Sequence, residues 1–225
     1  NWDLLNYHHY NPWAWLNGRR GHDIDAAILP GGYFNPLLHL PLYLAHEVLR
    51  PQRVGFLIGA VQGLNAILLY WIARSALPGE ASPQRTVLAL GVALLGTVAA
   101  GNLGQIGASF GDNILSLFVL GSLAILAAMA GAPKPAPALL AGTLLGLAAG
   151  LKPTMGLYAP GLGLACLALA APLQRRIVLG AILAVGALLG WAITGGFWAY
   201  DLWRSFGNPL FPFFNDVFKS PWAAI

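Results

Sequence analysis

The sequence predicts an all-α, polytopic transmembrane helical bundle with an extracytoplasmic first loop containing interfacial helices. Three observations predict it. Of 225 residues, 57% are hydrophobic and only 9% charged, against about 25% charged in an ordinary soluble domain. The 20 charges leave six uninterrupted runs, at 54–73, 86–111, 113–133, 135–151, 153–174 and 177–200. About 20 apolar residues in a helix cover a hydrocarbon layer about 30 Å thick. The runs also lack the in/out alternation that a transmembrane β-barrel requires.

The elements follow in order. Residues 1–53 are polar, aromatic and punctuated by Pro and Gly, and they hold all five histidines, at 8, 9, 22, 39 and 46. Within them, 4–16 has helical potential and stops at Asn17-Gly18, while Pro30-Gly31-Gly32 is a turn. Residues 37–49 are apolar on one side but too short to span, which suits a helix lying along the interface or in a re-entrant position. Six spans follow, at about 54–74, 86–108, 113–131, 138–151, 154–171 and 177–195, forming a bundle over 54–195. Residues 196–225 form a last loop segment. Gly55/Gly59/Gly63, Gly142/Gly146/Gly150 and Gly186/Gly190 recur at four-residue spacing, the pattern of helices that pack closely in lipid.

Other function classes recede. Cys166 is the single cysteine, so neither an intrachain disulfide nor a cysteine metal cluster can form. The net charge of +4 forms no basic stripe, because Lys and Arg sit at the ends of apolar runs, so nucleic acid is not an expected partner. The spans contain Gln62, Asn65, Asn102 and Gln105 but no buried charge, which counts against an ion-coupled transporter or flippase. A non-catalytic membrane subunit of a larger complex is the other alternative. The chain opens at Asn1 without a basic n-region or an apolar h-region, and a preceding signal peptide or first span is expected.

Alternating crossings sort the joints onto two sides. One side holds Arg74, Arg85, Lys134, Arg175 and Arg176 against a single acid, Glu80. These compact, acid-poor loops are placed in the cytoplasm. The opposite side holds seven of the eight acids, all the histidines and the long loops, and chemistry is expected there.

Five groups on that side can carry it. Asp3, in NWDLLNYHHY, suits a general base at a membrane surface or a solvated loop acid. His8 and His9 could bind a metal with Asp3, but adjacent histidines point to different faces of a helix and cannot share one ion comfortably, so aromatic-belt decoration is the better reading. Asp112, in SFGDNIL, is read as a helix N-cap or as a second carboxylate. Lys152, in GLKPTMGLYAPG, is a snorkelling hairpin-tip lysine or a point charge facing a polyprenyl phosphate. Arg19 and Arg20 with His22, Asp23 and Asp25 form a solvated loop or contribute a phosphate clamp. DLWRSFGNPLFPFFNDVFKSP, at 201–221, follows a turn-rich path whose aromatics suit interfacial anchoring or a groove for an isoprenoid tail.

In this order these residues resemble the GT-C superfamily of integral-membrane glycosyltransferases, particularly bacterial members similar to families 39 and 87. The resemblance rests on Trp2-Asp3 with Asn6-Tyr7-His8, Phe34-Asn35-Pro36-Leu37-Leu38, Ala73-Arg74, Asp112, Leu151-Lys152-Pro153-Thr154, and Gly207-Asn208-Pro209-Leu210-Phe211-Pro212. It covers the amino-terminal half of a typical member. No Asp-Glu or Glu-x-Asp pair follows Asp3, and Asn113 rather than Pro follows Asp112. The resemblance implies inverting transfer of a sugar from a polyprenyl-phosphate donor to an extracytoplasmic acceptor. Asp3 would act as base, and Lys152 with Arg19 or Arg20 would hold phosphate. Tyr7, His8, Asp112 and Asn208 would line the substrate site. No cofactor is required, although a divalent cation is possible. The implied location is a bacterial inner membrane, with the site facing the periplasm or exterior, in contact with membrane lipid.

Overall fold

The computed structural model describes residues 2–23 and 30–223, and every regular element among them is helical. The α-helices are α1 (Tyr10–Leu16), α2 (Leu40–Val48), α3 (Pro51–Gly63), α4 (Asn65–Ala76), α5 (Pro83–Thr97), α6 (Ala100–Leu103), α7 (Asp112–Ala128), α8 (Pro135–Leu151), α9 (Ala159–Ala165), α10 (Leu173–Trp191), α11 (Phe197–Phe206) and α12 (Asn215–Phe218). Short π and 3-10 turns join several of them.

Among the described residues, two helices are long and apolar enough to cross a membrane. α3 and α4 run on as one 26-residue helix, Pro51–Ala76, and only 17% of its most apolar stretch is buried. The second, Leu173–Phe206, has 34 residues because α10 passes through a π-turn at Ala192–Gly196 directly into α11. The expected boundary at 195 is therefore not a helix end, since Gly195 and Gly196 bulge the helix without stopping it. Its stop comes at Gly207, whose φ of 70° suits glycine at a helix C-terminus.

The other expected spans are shorter. α7 and α8 have 17 residues each, or about 26 Å at 1.5 Å per residue. Residues 86–108 divide into α5 and the brief α6. Asn102 donates to Gly96 O at 2.9 Å, and the chain then turns through Gly107, at φ 72°. Residues 154–171 divide further, into a 3-10 turn at Pro153–Tyr158, α9, and a 3-10 turn at Cys166–Ala168. Pro153 and Pro160 remove backbone donors there, and three glycines lower the helical preference.

The core is a sandwich of α7, α8 and α10, filled by Leu115, Leu126, Leu145, Leu179 and Leu183. Small residues decide how close α8 and α10 come. A Cβ on Gly142 would lie 1.9 Å from Leu183 O, one on Gly146 2.0 Å from Ala187 O, and one on Gly190 2.1 Å from Thr143 O. Backbone thus meets backbone along both glycine series, as their spacing predicts. The third series behaves differently: Gly55 and Gly59 face the Gly107 turn, and Gly63 meets open space. Phe56, Leu57, Val87, Leu88 and Leu95 point outward from α3 and α5. An outer surface of this kind is what a hydrocarbon surrounding calls for.

The polar groups inside the apolar helices secure backbone. Asn65 donates to Asn113 O at 2.7 Å and accepts from Ser116 Oγ, while Gln62 Oε1 accepts from Gly107 N at 2.8 Å.

Candidate functional site

The first loop lies across one end of the α7–α8–α10 core. The Leu4–His8 turn and α1 fulfil the helix expected at 4–16, and Gly18, at φ 64°, ends it. Pro30–Tyr33 is a 3-10 turn where a turn is expected. Asn35 is nearly fully buried, and its Nδ2 donates to Gly150 O and to Thr194 O, both at 2.8 Å. The first carbonyl belongs to the last turn of α8 and the second to the π-turn, so each lacks an ordinary helical donor. Asn35 Oδ1 meanwhile accepts from Leu37 N at 3.0 Å and starts the next turn. One side chain therefore fixes the loop against two helices. Trp198 Nε1 adds a bond to Tyr33 O at 3.1 Å, and Asn11 Nδ2 donates to Gly31 O at 2.9 Å.

This anchoring brings five of the expected site residues together: Asp3, Tyr7, His8, Asp112 and Lys152. The Tyr7 phenol is hydrogen-bonded to Asp3 and feels the charge of Asp112. Burial, the bond to Asp3 and its charge push the phenol up to about 12, so it remains a donor at neutral pH. His8 is buried and shares a 2.8 Å hydrogen bond with Ser109 Oγ, just before α7. Desolvation pushes its pKa down to about 4 despite the carboxylates of Asp3 and Asp112, so the ring is neutral.

The Asp112 carboxylate does not cap its helix. Gly111 is the N-cap residue of α7, without a side-chain bond. Asp112 Oδ1 instead accepts from Lys152 Nζ at 2.6 Å. The acid stands in the first turn of α7 and the lysine is the C-cap residue of α8. Each charge is therefore at the helix end whose dipole favours it.

His39 belongs to this group and was not singled out by sequence. Its ring stacks on His8 with centroids 3.9 Å apart and planes 16° apart. It is 4% exposed, and neither ring nitrogen has a hydrogen-bond partner of good geometry. Burial, reinforced by His8 and Lys152, pushes its pKa down to about 3, against a weak opposing contact with the Ser109 backbone. Its signal in the sequence was only its place in the histidine-rich loop, because a stacked pair 31 positions apart leaves no local spacing. His9 pairs differently with His46, through a hydrogen bond between Nε2 and Nδ1 of rings tilted by 42°, and packs edge-on against Tyr43.

The remaining expected residues make their contacts elsewhere. Arg19 pairs with Asp23, which also accepts from the Tyr10 hydroxyl at 3.1 Å. Arg20 pairs with Asp201, donates to Ser205 Oγ at 2.7 Å, and lies over the rings of Trp198 and Phe206. It ties the first loop to α11. Asp25 lies outside the described residues. Asn208 is fully buried and closes its own turn, donating to Phe213 O at 2.8 Å and accepting from Leu210 N at 2.9 Å. The 201–221 segment contributes Trp203, Pro209 and Phe218 to an open apolar groove of about 330 Å³, shared with Trp191, Ala199 and Tyr200. Among the described residues, no group of three or more His, Cys, Asp or Glu side chains is arranged to hold a metal ion.

No protein-family model matches this chain, and no curated protein or solved structure matches it.

Proposed function

We propose that the chain is part of an inverting membrane glycosyltransferase that takes its sugar from a polyprenyl-phosphate donor. The single observation that carries this reading is the meeting of Asp3, Tyr7 and His8 of the anchored first loop with Asp112 and Lys152 at the ends of α7 and α8. In the reaction, Asp3 accepts the proton of the acceptor hydroxyl as its oxygen attacks the anomeric carbon. The bond from that carbon to the donor phosphate breaks, the carbon inverts, and Lys152 meets the charge on the departing phosphate. Tyr7 donates a hydrogen bond that holds the Asp3 carboxylate in place. His8 and His39, both neutral, face the substrate without competing for protons at neutral pH.

The membrane setting of this reading is a bundle of six crossings, with the two long helices supplemented by α5, α7, α8 and the broken 153–168 segment. Short crossings are compatible with local thinning of the bilayer. The site side would face the periplasm or exterior of a bacterial inner membrane. The aromatic groove beside Trp203 offers the apolar surface that a prenyl tail needs. In-membrane polar residues that secure backbone, such as Gln62 and Asn65, fit an enzyme better than a transport path.

The test is transfer by the protein in lipid nanodiscs, offered a panel of polyprenyl-phosphate sugars. Asp3→Asn should reduce turnover by at least about 10²-fold with an unchanged thermal midpoint. Wild-type turnover in that variant refutes the assignment.

A further inference from the structure

The Lys152–Asp112 pair raises a question of charge. Asp3 and Asp112 bring two negative charges to the site and Lys152 brings one positive charge. Burial keeps His8 and His39 neutral. A phosphate entering this arrangement gains a lysine that is already neutralised and meets a carboxylate beside it. Binding becomes favourable when Asp112 gives up Lys152.

The geometry allows that exchange. The Lys152 and Asp112 side chains are 31% and 39% exposed, so solvent reaches both. A pair this open contributes at most about 1 kcal/mol, which a phosphate's stronger charge can replace. Lys152 sits just beyond the last turn of α8, in extended backbone held by Pro153, so its ammonium can be aimed at a new partner without moving the helix. A second observation points to a ligand at the same place. The nine-tenths-buried imidazole of His39, within electrostatic range of Lys152, has no hydrogen-bond partner beyond a weak contact with the Ser109 backbone, so at least one ring nitrogen is left unpaired. An unpaired buried polar group costs about 1–3 kcal/mol, and a ligand oxygen would offset it.

We propose that Asp112 is a displaceable stand-in for the lipid phosphate: in the free protein it occupies Lys152, and a polyprenyl phosphomonoester binds by taking the lysine from it. This rests on the reading of Lys152 as the phosphate-holding residue. It also gives Asp112 a role distinct from shaping a sugar pocket, because its charge sets how tightly the donor is held and how readily the lipid-phosphate product leaves.

The test measures binding of sugar-free polyprenyl phosphate to the protein in nanodiscs, so it does not depend on transfer. Asp112→Asn should bind about two- to fivefold tighter than wild type, the factor expected from releasing an ion pair of this exposure. Asp112→Ser should do the same, and thermal midpoints check that both variants are folded. Lys152→Gln should weaken binding and remove the gain of Asp112→Asn in the double variant. Polyprenol, which lacks the phosphate, should bind all forms alike. Unchanged or weaker binding by folded Asp112→Asn overturns the proposal. So does a loss on adding EDTA to wild type that Asp112→Asn mimics, since the carboxylate would then hold a bridging cation. Inorganic phosphate competing as well as the lipid would assign the site to the free anion and overturn the lipid arm. Failure of every sugar donor to react would sink the glycosyltransferase reading and leave these binding outcomes intact.

Discussion

Replacing Gly146 with alanine places one methyl group between two backbones. Its carbon would lie 2.0 Å from Ala187 O, 2.7 Å from Ala187 C and 2.8 Å from Trp191 N. Ordinary contact begins at 3.4 Å, so α8 and α10 must part by about 1.4 Å along that line, since helical backbone cannot swing aside as a side chain can. Overpacking of this kind costs about 1–3 kcal/mol, and the backbone partners put Gly146→Ala near the upper end. A change of about 3 kcal/mol corresponds to about 6–12 °C in thermal midpoint for a chain of this size. Gly91→Ala is the matched control, because its Cβ meets nothing within 4 Å and alanine improves helix propensity by about 1 kcal/mol. Thermal unfolding of both variants in identical nanodiscs measures the difference. Equal midpoints for Gly146→Ala and wild type would refute backbone contact between α8 and α10. The separation should also reach the site, because Asn35 bonds at once to Gly150 of α8 and to Thr194 beyond α10.

Asn35→Asp retains the acceptor for Leu37 N but removes the donor to both carbonyls. It should lower the midpoint by an amount corresponding to about 1–3 kcal/mol and detach the first loop, measured as faster amide exchange over residues 30–39; exchange equal to wild type would refute the anchoring role. His8 and His39 have folded pKa values near 4 and 3, below their ordinary 6.5. As pH falls below about 6.5, the unfolded chain takes up protons that the folded chain refuses, so their stabilisation is complete above that pH and lost toward pH 4. Between pH 7 and pH 5 the loss should be about 1–2 kcal/mol per histidine, read as a falling midpoint that His39→Gln makes shallower. A slope unchanged by that substitution would show that His39 is not buried neutral.

Much of the architecture was legible because it depends on local composition. The helix at 4–16, its stop at Gly18, the turn at Pro30 and the short helix at 40–48, within the expected 37–49, follow from propensity, glycine and proline. The glycine series on α8 and α10 could be read as packing faces, but which would face the other could not. Helix continuity was less legible. Two glycines at 195–196 suggest an end by propensity, but the Thr194 carbonyl of the bulge finds a donor in Asn35, Thr194 Oγ1 donates in turn to Leu147 O of α8, and the helix continues to Phe206.

Within the candidate site, Asp3, Asp112 and Lys152 were each recognisable as scarce charges at the edges of apolar runs, but their functional and structural readings could not be separated. Asp112 shows the reason: an acid beside the start of a helix looks like a cap, and only a lysine 40 positions later gives it a different partner. Arg20 and Asn208 show the reverse, since chemistry suited to a substrate is occupied by Asp201 and by the residue's own turn. The sequence by itself determined the helical class, the apolar runs and the gathering of all five histidines in the first 53 residues, because these depend on hydropathy and residue placement along the chain. Tertiary structure alone decided that Asp112 pairs with Lys152, that His39 stacks on His8 and that Asn35 clasps two helices. Those contacts join residues 31 to 159 positions apart, and chain-local patterns carry no record of a partner that folding brings from so far away.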